Sequence, residues 1–329
     1  MAVKYLIIRF SSIGDIVLTT PIIRCLKTQV EDAEVHYLTK PAFAPLLSNN
    51  PYIDKLITLK ESLSNTIKEV REEQYDYIID LHHNLRTYII KNKTGILTFS
   101  FPKLNFKKAL LVNFKINRLP DVHIVDRYFE TVNIFDVKND GKGLELFISP
   151  NDEVDLQTLP EPFHHGYLAL VVGAKHTTKQ MPFELLKNIL LQLDMPILLL
   201  GDQNDNATGN KITEWAKRSN IFNACGKYSL LQSASLIRQA KVVLTGDTGL
   251  MHIAAAFNKK IVTVWGNTVP EFGMYPYSDK NLYTINEVKS LPCRPCSKIG
   301  FNQCPKKHFN CMIKQDTSSI INQVKSFYE

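Results

Sequence analysis

LIIRFSSIGDIVLTTPIIRCLK, residues 6–27, decides how the chain is read. Leu6-Ile7-Ile8 is a short apolar run of the kind that makes a buried strand. Arg9, Ser11, Ser12 and Gly14 interrupt it, and from Asp15 a new apolar pattern begins at helical spacing. A strand that passes through a polar, Gly-containing turn into a helix opens a βα unit. Asp15 stands at the hinge. One reading makes it an N-cap or first-turn acid, favoured by the helix dipole. The other makes it a functional carboxylate, because open α/β sheets bind ligands beyond the carboxyl ends of their strands. The turn is not a dinucleotide fingerprint, since G-x-G-x-x-G is absent.

The same rhythm continues outward. KYLIIRF leads into a helical pattern over 14–29, then EVHYL, a helical pattern over 41–48, KLITL, a helical stretch near 61–73, and YDYIIDLH. Residues 98–118 are less regular, and 123–137 return to helical spacing. Around 150–166 the composition changes to prolines, acids and little periodicity, which reads as a linker. A second series follows: GYLALVVGA, a helix opening near Pro182, PILLLGD, NATGNKITEWAKRS, SLLQSASLIRQA, KVVLTGD, TGLMHIAAAF and KIVTVWG. Strands alternating with helices predict parallel sheets covered on both faces. The expectation is an α/β chain of two doubly wound halves, divided into 1–155 and 156–329, with a cleft between them.

The size agrees, since 329 residues suit two domains better than one core. Apolar residues are 44% and charged residues 22%, a globular balance. No apolar run is long enough to span a bilayer. No charged n-region followed by an apolar h-region opens the chain, so a cytoplasmic location is expected.

The net charge is +7, and it is unevenly placed. Eight Lys or Arg fall from Arg86 to Arg118, with no Asp or Glu between Asp80 and Asp121. The window is also rich in Leu, Ile and Phe. It suits an anionic membrane surface or an anionic amphiphile; a solvated basic face is the plainer reading. Of six cysteines, Cys25 and Cys225 sit in apolar contexts and read as core. Cys293, Cys296, Cys304 and Cys311 cluster. Four thiolates at short spacing suit a structural zinc, although the spacing is not that of a strong finger, and free packed thiols are the alternative.

Two further strand-to-helix turns carry polar groups. In GAKHTTKQMP, Lys175, Thr177, Thr178 and Lys179 precede a helix that starts near Pro182, where they could face an anion. In VVLTGDTGLMHIAAA, Asp247, Thr248 and Gly249 close a buried strand and open a small-residue helix, whose N–H groups make an anion nest. His252, one turn in, reads as a structural histidine or as a phosphate partner.

Taken in order, SSIGDIVLTTP, DTGLMHIAAAF and the terminal CRPC…CP…CM resemble the bacterial heptosyltransferases, glycosyltransferase family nine; YDYIIDLHHNLRT is similar to a further segment of that family. The resemblance runs along nearly the whole chain. It implies the GT-B fold, with an N-terminal acceptor domain and a C-terminal nucleotide-sugar domain. It implies an inverting transfer without a catalytic metal, from a donor such as ADP-heptose to the lipopolysaccharide inner core at the cytoplasmic face of the inner membrane.

Residue by residue, the resemblance makes Asp15 the catalytic base, with Ser12 and Gly14 beside it on the acceptor side. Lys179, with Thr178, meets the donor phosphates; KQMP has Met181 where the family has Trp. Asp247, Thr248, Gly249 and His252 form the pyrophosphate loop. Asp205 lies where the family has a ribose-holding Glu, and Tyr228 where a side chain covers the adenine, which Tyr can do by stacking. Arg86 is the acceptor-binding candidate of the basic window. Two alternatives remain beside this reading. One is a GT-B or sugar-nucleotide enzyme with another donor or acceptor. The other is a nucleic-acid-binding protein using the basic surface and the cysteines, against which stands the lack of an aromatic-basic platform; no nucleic-acid partner is expected.

Overall fold

The computed structural model describes residues 2–329 and contains two compact units. The first comprises residues up to Leu104 and Val122–Phe147. Its strands are β1 (Val3–Ile8), β2 (Ala33–Thr39), β3 (Lys55–Thr58), β4 (Tyr77–Asp80) and β5 (Leu97–Ser100), all parallel, in the order β3-β2-β1-β4-β5. Helices α1 (Ile13–Val17), α2 (Thr20–Gln29), α3 (Leu63–Glu72) and α4 (Leu85–Thr94) make the crossovers, except from β2 to β3, where the stretch read as helical over 41–48 is a 3₁₀ helix, Pro41–Leu46. Leu6, Ile8, Leu38, Ile57, Ile78 and Ile90 share one core, so the apolar runs are buried as parallel strands require.

One element leaves this unit. Helix α5 (Asn105–Phe114) follows β5 in the chain, yet residues 105–121 belong to the second unit. Leu111 packs there against Val269 and Phe272, and Lys115 Nζ donates to the Pro295 carbonyl at 2.6 Å. The chain then returns through α6 (Ile124–Phe129). The basic window of the sequence is therefore divided between two bodies.

The second unit holds β6 (Leu168–Val171), α7 (Phe183–Leu190), β7 (Ile197–Leu200), α8 (Asn206–Ala216), β8 (Ile221–Asn223), α9 (Leu230–Gln239), β9 (Val242–Gly246), α10 (Gly249–Ala256), β10 (Lys260–Trp265) and β11 (Tyr283–Glu287), closed by α11 (Asn310–Ile313) and α12 (Thr317–Tyr328). The sheet order is β11-β10-β9-β6-β7-β8, again parallel throughout. Counting strands within the unit from β6, this is the doubly wound order 3-2-1-4-5-6. Each sheet reverses its winding beside its first strand: between β1 and β4 in one unit, between β6 and β9 in the other. Those switch points are where such sheets bind ligands.

Three further sequence expectations change. The helix read over 14–29 is two helices, because Thr19 and Thr20 turn their hydroxyls back on the Ile16 and Val17 carbonyls and Pro21 lies at the start of α2. Pro has no N–H to continue the earlier helix. The division expected at 155/156 falls at 147/148. Finally, the stretch read as a linker forms 3₁₀ turns fastened to the second unit: Val154 N–H donates to Ser235 Oγ, Glu153 pairs with Arg238, and Phe163 is fully buried. Apolar anchors at Val154, Leu159 and Phe163 outweigh the linker-like composition around them.

Candidate functional site

In the first unit the polar groups gather at the β1/β4 switch point. Ser12 caps α1, with Gly14 buried behind it. The Ser12 N–H and Oγ–H both donate to Asp15 Oδ2, at 3.0 and 2.6 Å, while Asp15 Oδ1 pairs with Arg9 Nη2. Arg9 is the residue that sequence reasoning passed over. It is buried; its Nε donates to the Ser11 carbonyl at 2.9 Å and its Nη1 to the Leu81 carbonyl beyond β4. Burial works most strongly against the guanidinium charge, but Asp15, together with Tyr128, Tyr37 and Asp80, outweighs it, and the Arg9 pKa ends above its ordinary value. Arg9 thus bridges the two strands of the switch point and fixes the carboxylate of Asp15.

Beside it, burial and then the Arg9 charge pull His82 down to about 4, so its ring is neutral near pH 7. Asp80, fully buried at the end of β4, accepts the His82 and His83 N–H groups at 3.1 and 2.7 Å and pairs with Lys91 at 3.0 Å. It organises the turn into α4, on whose first turn Arg86 is exposed. Asp15, Ser12 and Gly14 are thus brought into one turn, whereas Arg86 stands on a separate helix.

In the second unit the polar groups gather at the β6/β9 switch point. Lys179, in the loop after β6, places Nζ 2.6 Å from Oδ2 of Asp247, which follows β9; the same oxygen accepts from Thr268 Oγ1 at 2.8 Å. Thr248 caps α10, its Oγ1 accepting from Met251 N–H at 3.4 Å, and Gly249 is the first helical residue. Gly246 is required for this approach, because a Cβ there would stand 2.6 Å from the Lys179 carbonyl. Thr178 is engaged elsewhere: its hydroxyl and backbone hold Phe301 through three hydrogen bonds, tying the loop to the cysteine segment. His252 is buried within α10.

Asp205 lies under the next turn. Its Oδ2 accepts Asp202 N–H at 2.9 Å and its Oδ1 accepts from Gln180 Nε2 at 3.3 Å, and burial raises its pKa. The carboxylate fits because Gly173 and Gly201 lack side chains; a Cβ on Gly173 would be 1.9 Å from Asp205 Oδ2. Gly173→Ala is therefore expected to push Asp205 out and lose about 1–3 kcal/mol of stability, as overpacking does. Thermal and urea melts check this, and unchanged stability would show that the turn repacks freely. Tyr228 is half-buried just before Ser229, the N-cap of α9.

The cysteine expectations divide. Cys25 and Cys225 are buried, as core residues should be. The terminal four are free thiols, and among the described residues no three His, Cys, Asp or Glu are placed to hold a metal ion, which supports the packed-thiol alternative without testing the zinc one. Cys311 is buried in α11 next to the core residue Met312, and burial pushes its thiol up to about 12.

Two Rossmann-type parallel sheets in one chain, each with its polar groups at the switch point, define the GT-B class of glycosyltransferases. The model of glycosyltransferase family 9 (heptosyltransferase) matches residues 64–303, and the chain belongs to that family. It is a glycosyltransferase. A lipooligosaccharide heptosyltransferase 2 of Haemophilus influenzae is 25% identical over 320 residues, covering 90% of this chain and 92% of that protein. The solved ADP-heptose lps heptosyltransferase II of E. coli superposes with a TM-score of 0.75 at 20% identity, over 99% of this chain and 98% of the other. A family 9 glycosyltransferase from Veillonella parvula gives 0.77 at 19%, over 99% and 97%. These structural likenesses establish the fold.

Proposed function

We propose that the chain moves a heptose from ADP-heptose to the inner core of lipopolysaccharide, with inversion and without a catalytic metal, at the cytoplasmic face of the inner membrane. The observation that carries the reading is the Lys179–Asp247–Thr268 cluster beside the N-terminus of α10, at the switch point of a 3-2-1-4-5-6 sheet. A nucleoside diphosphate leaving group needs positive charge and N–H dipoles, which a lysine and a helix N-terminus supply. The donor names attached to family relatives point to ADP-heptose as the sugar nucleotide.

In the proposed step an acceptor hydroxyl attacks the anomeric carbon. The carbon–oxygen bond to the diphosphate breaks, the hydroxyl proton passes to Asp15, and ADP departs with the bonding electron pair. A single displacement inverts the centre, and its transition state has oxocarbenium character, as in glycoside hydrolysis. Asp205 would hold the ribose, Tyr228 would cover the adenine, and Thr248, Gly249 and His252 would complete the diphosphate loop. Arg86 would meet acceptor phosphate or acidic sugar.

The test is a thermal-shift comparison of ADP, UDP and GDP and their sugars. ADP near a hundred times its Kd is expected to raise the melting temperature by about 4 °C, with UDP and GDP near zero. Stabilisation by UDP or GDP alone would replace the donor.

A further inference from the structure

Helix α5 carries its apolar residues on the wrong side for a helix that only packs inward. Its inner face is accounted for. Leu111 and Val112 lie against Val269 and Phe272, Lys108 stands over the Phe272 ring, and Lys115 is fastened to the Val112 and Pro295 carbonyls. Phe106, Leu110 and Phe114, spaced four residues apart, form one stripe along the opposite side. Phe106 is 76% exposed and Phe114 68%, and Ile116 just beyond the helix is 48% exposed. Exposed aromatic residues aligned in this way mark an interaction surface.

The surrounding charge identifies the partner. Lys107 and Arg118 are exposed and residues 105–118 hold no acid, while Lys108 and Lys115, engaged on the inner face, add only to the local positive potential. Two copies of the chain would oppose like charges at such a face, which disfavours self-association. An anionic bilayer is complementary in both respects: its headgroups meet the cations, and its acyl boundary receives the aromatic rings, as with other interfacial helices. No helix among the described residues is long and apolar enough to cross a membrane, so contact through α5 would be peripheral.

We infer that the outer face of α5, through Phe106, Leu110 and Phe114, docks the protein on an anionic phospholipid surface. The inference rests on the proposed membrane-borne acceptor for its purpose only; lipid binding itself does not depend on the sugar chemistry.

The test is co-sedimentation of the full chain with vesicles of phosphatidylethanolamine and phosphatidylglycerol, against phosphatidylcholine vesicles. The variant pairs Phe106→Ser with Phe114→Ser, both exposed, with circular dichroism and a thermal melt confirming the fold. Wild-type protein is expected on the anionic vesicles, with binding weakened by salt. The double variant is expected to bind about tenfold less or worse. No binding to anionic vesicles, or equal binding by both proteins, overturns the inference. So does a wild-type dimer in gel filtration that becomes monomeric in the variant without any lipid binding, which would assign the face to a second copy. Transfer from ADP-heptose to a delipidated, soluble acceptor gives the separate readout. The variant should retain wild-type turnover there. If neither protein transfers heptose while lipid binding behaves as expected, the sugar assignment fails and the docking surface stands.

Discussion

Asp15→Asn is expected to lower the turnover number by about 10²–10⁴, the range that a positioned general base contributes, while ADP affinity stays within about twofold. The substitution keeps size and shape, and an amide oxygen can still accept from Ser12 N–H and Oγ, which now meet Asp15 Oδ2. It removes the charge and turns the atom facing Arg9 Nη2 into a donor. Arg9 is buried, so it loses the partner that sustains its charge, and breaking a buried pair from one side costs about 3–5 kcal/mol. Stability must therefore be measured beside activity. The decisive comparison is turnover at a temperature where urea or thermal melts show the variant fully folded. A catalytic base predicts the loss of transfer in folded, ADP-binding protein. A capping acid alone predicts lower stability with turnover per folded molecule unchanged, and that result would remove Asp15 from the chemistry. ADP binding is the internal control, because Lys179 and Asp247 belong to the other unit.

The two roles of Asp15 show where the sequence was legible. Its position at a strand-to-helix turn could be read directly, because Leu6-Ile7-Ile8 is uniformly apolar and the turn holds Ser and Gly. Arg9 was also readable in principle: a lone charge at the end of a buried strand demands a partner, and the first carboxylate after it is Asp15. The strands with little burial left no such mark. β5, LTFS, is nowhere fully buried, β8 has three residues, and β11 reads YTINE with mostly half-exposed positions. A periodicity argument needs contrast between faces, and these edge-proximal pieces lack it.

Composition misled at one place for the opposite reason, and at the cysteines it leaves the question open. The Pro-rich 150–166 stretch holds only a few apolar anchors, and those few decide where it sits. The four cysteines share a neighbourhood, but spacing alone says nothing about whether the thiols converge. The positions of the candidate polar turns were legible because switch points follow from strand order. Once β1 and β4 are recognised as neighbours in one sheet, and β6 and β9 in the other, the loops after each pair lie together within their own unit.

Lys179→Ala is expected to reduce kcat/KM by about 10²–10³, the cost of removing one donor from a developing anion, and to weaken ADP binding in parallel. The ammonium is 2.6 Å from Asp247 Oδ2, which also accepts from Thr268. That carboxylate holds the lysine at the switch point in advance, so little reorganisation is needed when a diphosphate arrives. It also sets a penalty: without Lys179, Asp247 would present an unbalanced negative charge to an anionic ligand. Lys179→Ala should therefore hurt more than the loss of one contact, and Lys179→Ala combined with Asp247→Asn should recover part of the ADP affinity while remaining slow in transfer. Nucleotide titrations by calorimetry and initial rates with saturating acceptor read the two effects separately. The single variant is expected to lose some stability as well, because Asp247 is only 12% exposed and keeps Thr268 as its donor, so turnover is compared where melts show the variant folded. Wild-type kinetics in Lys179→Ala would remove the cluster from the donor site. Weak binding with undiminished turnover at saturating donor would instead confine Lys179 to holding the ground state, leaving the leaving-group charge to the N–H groups of α10.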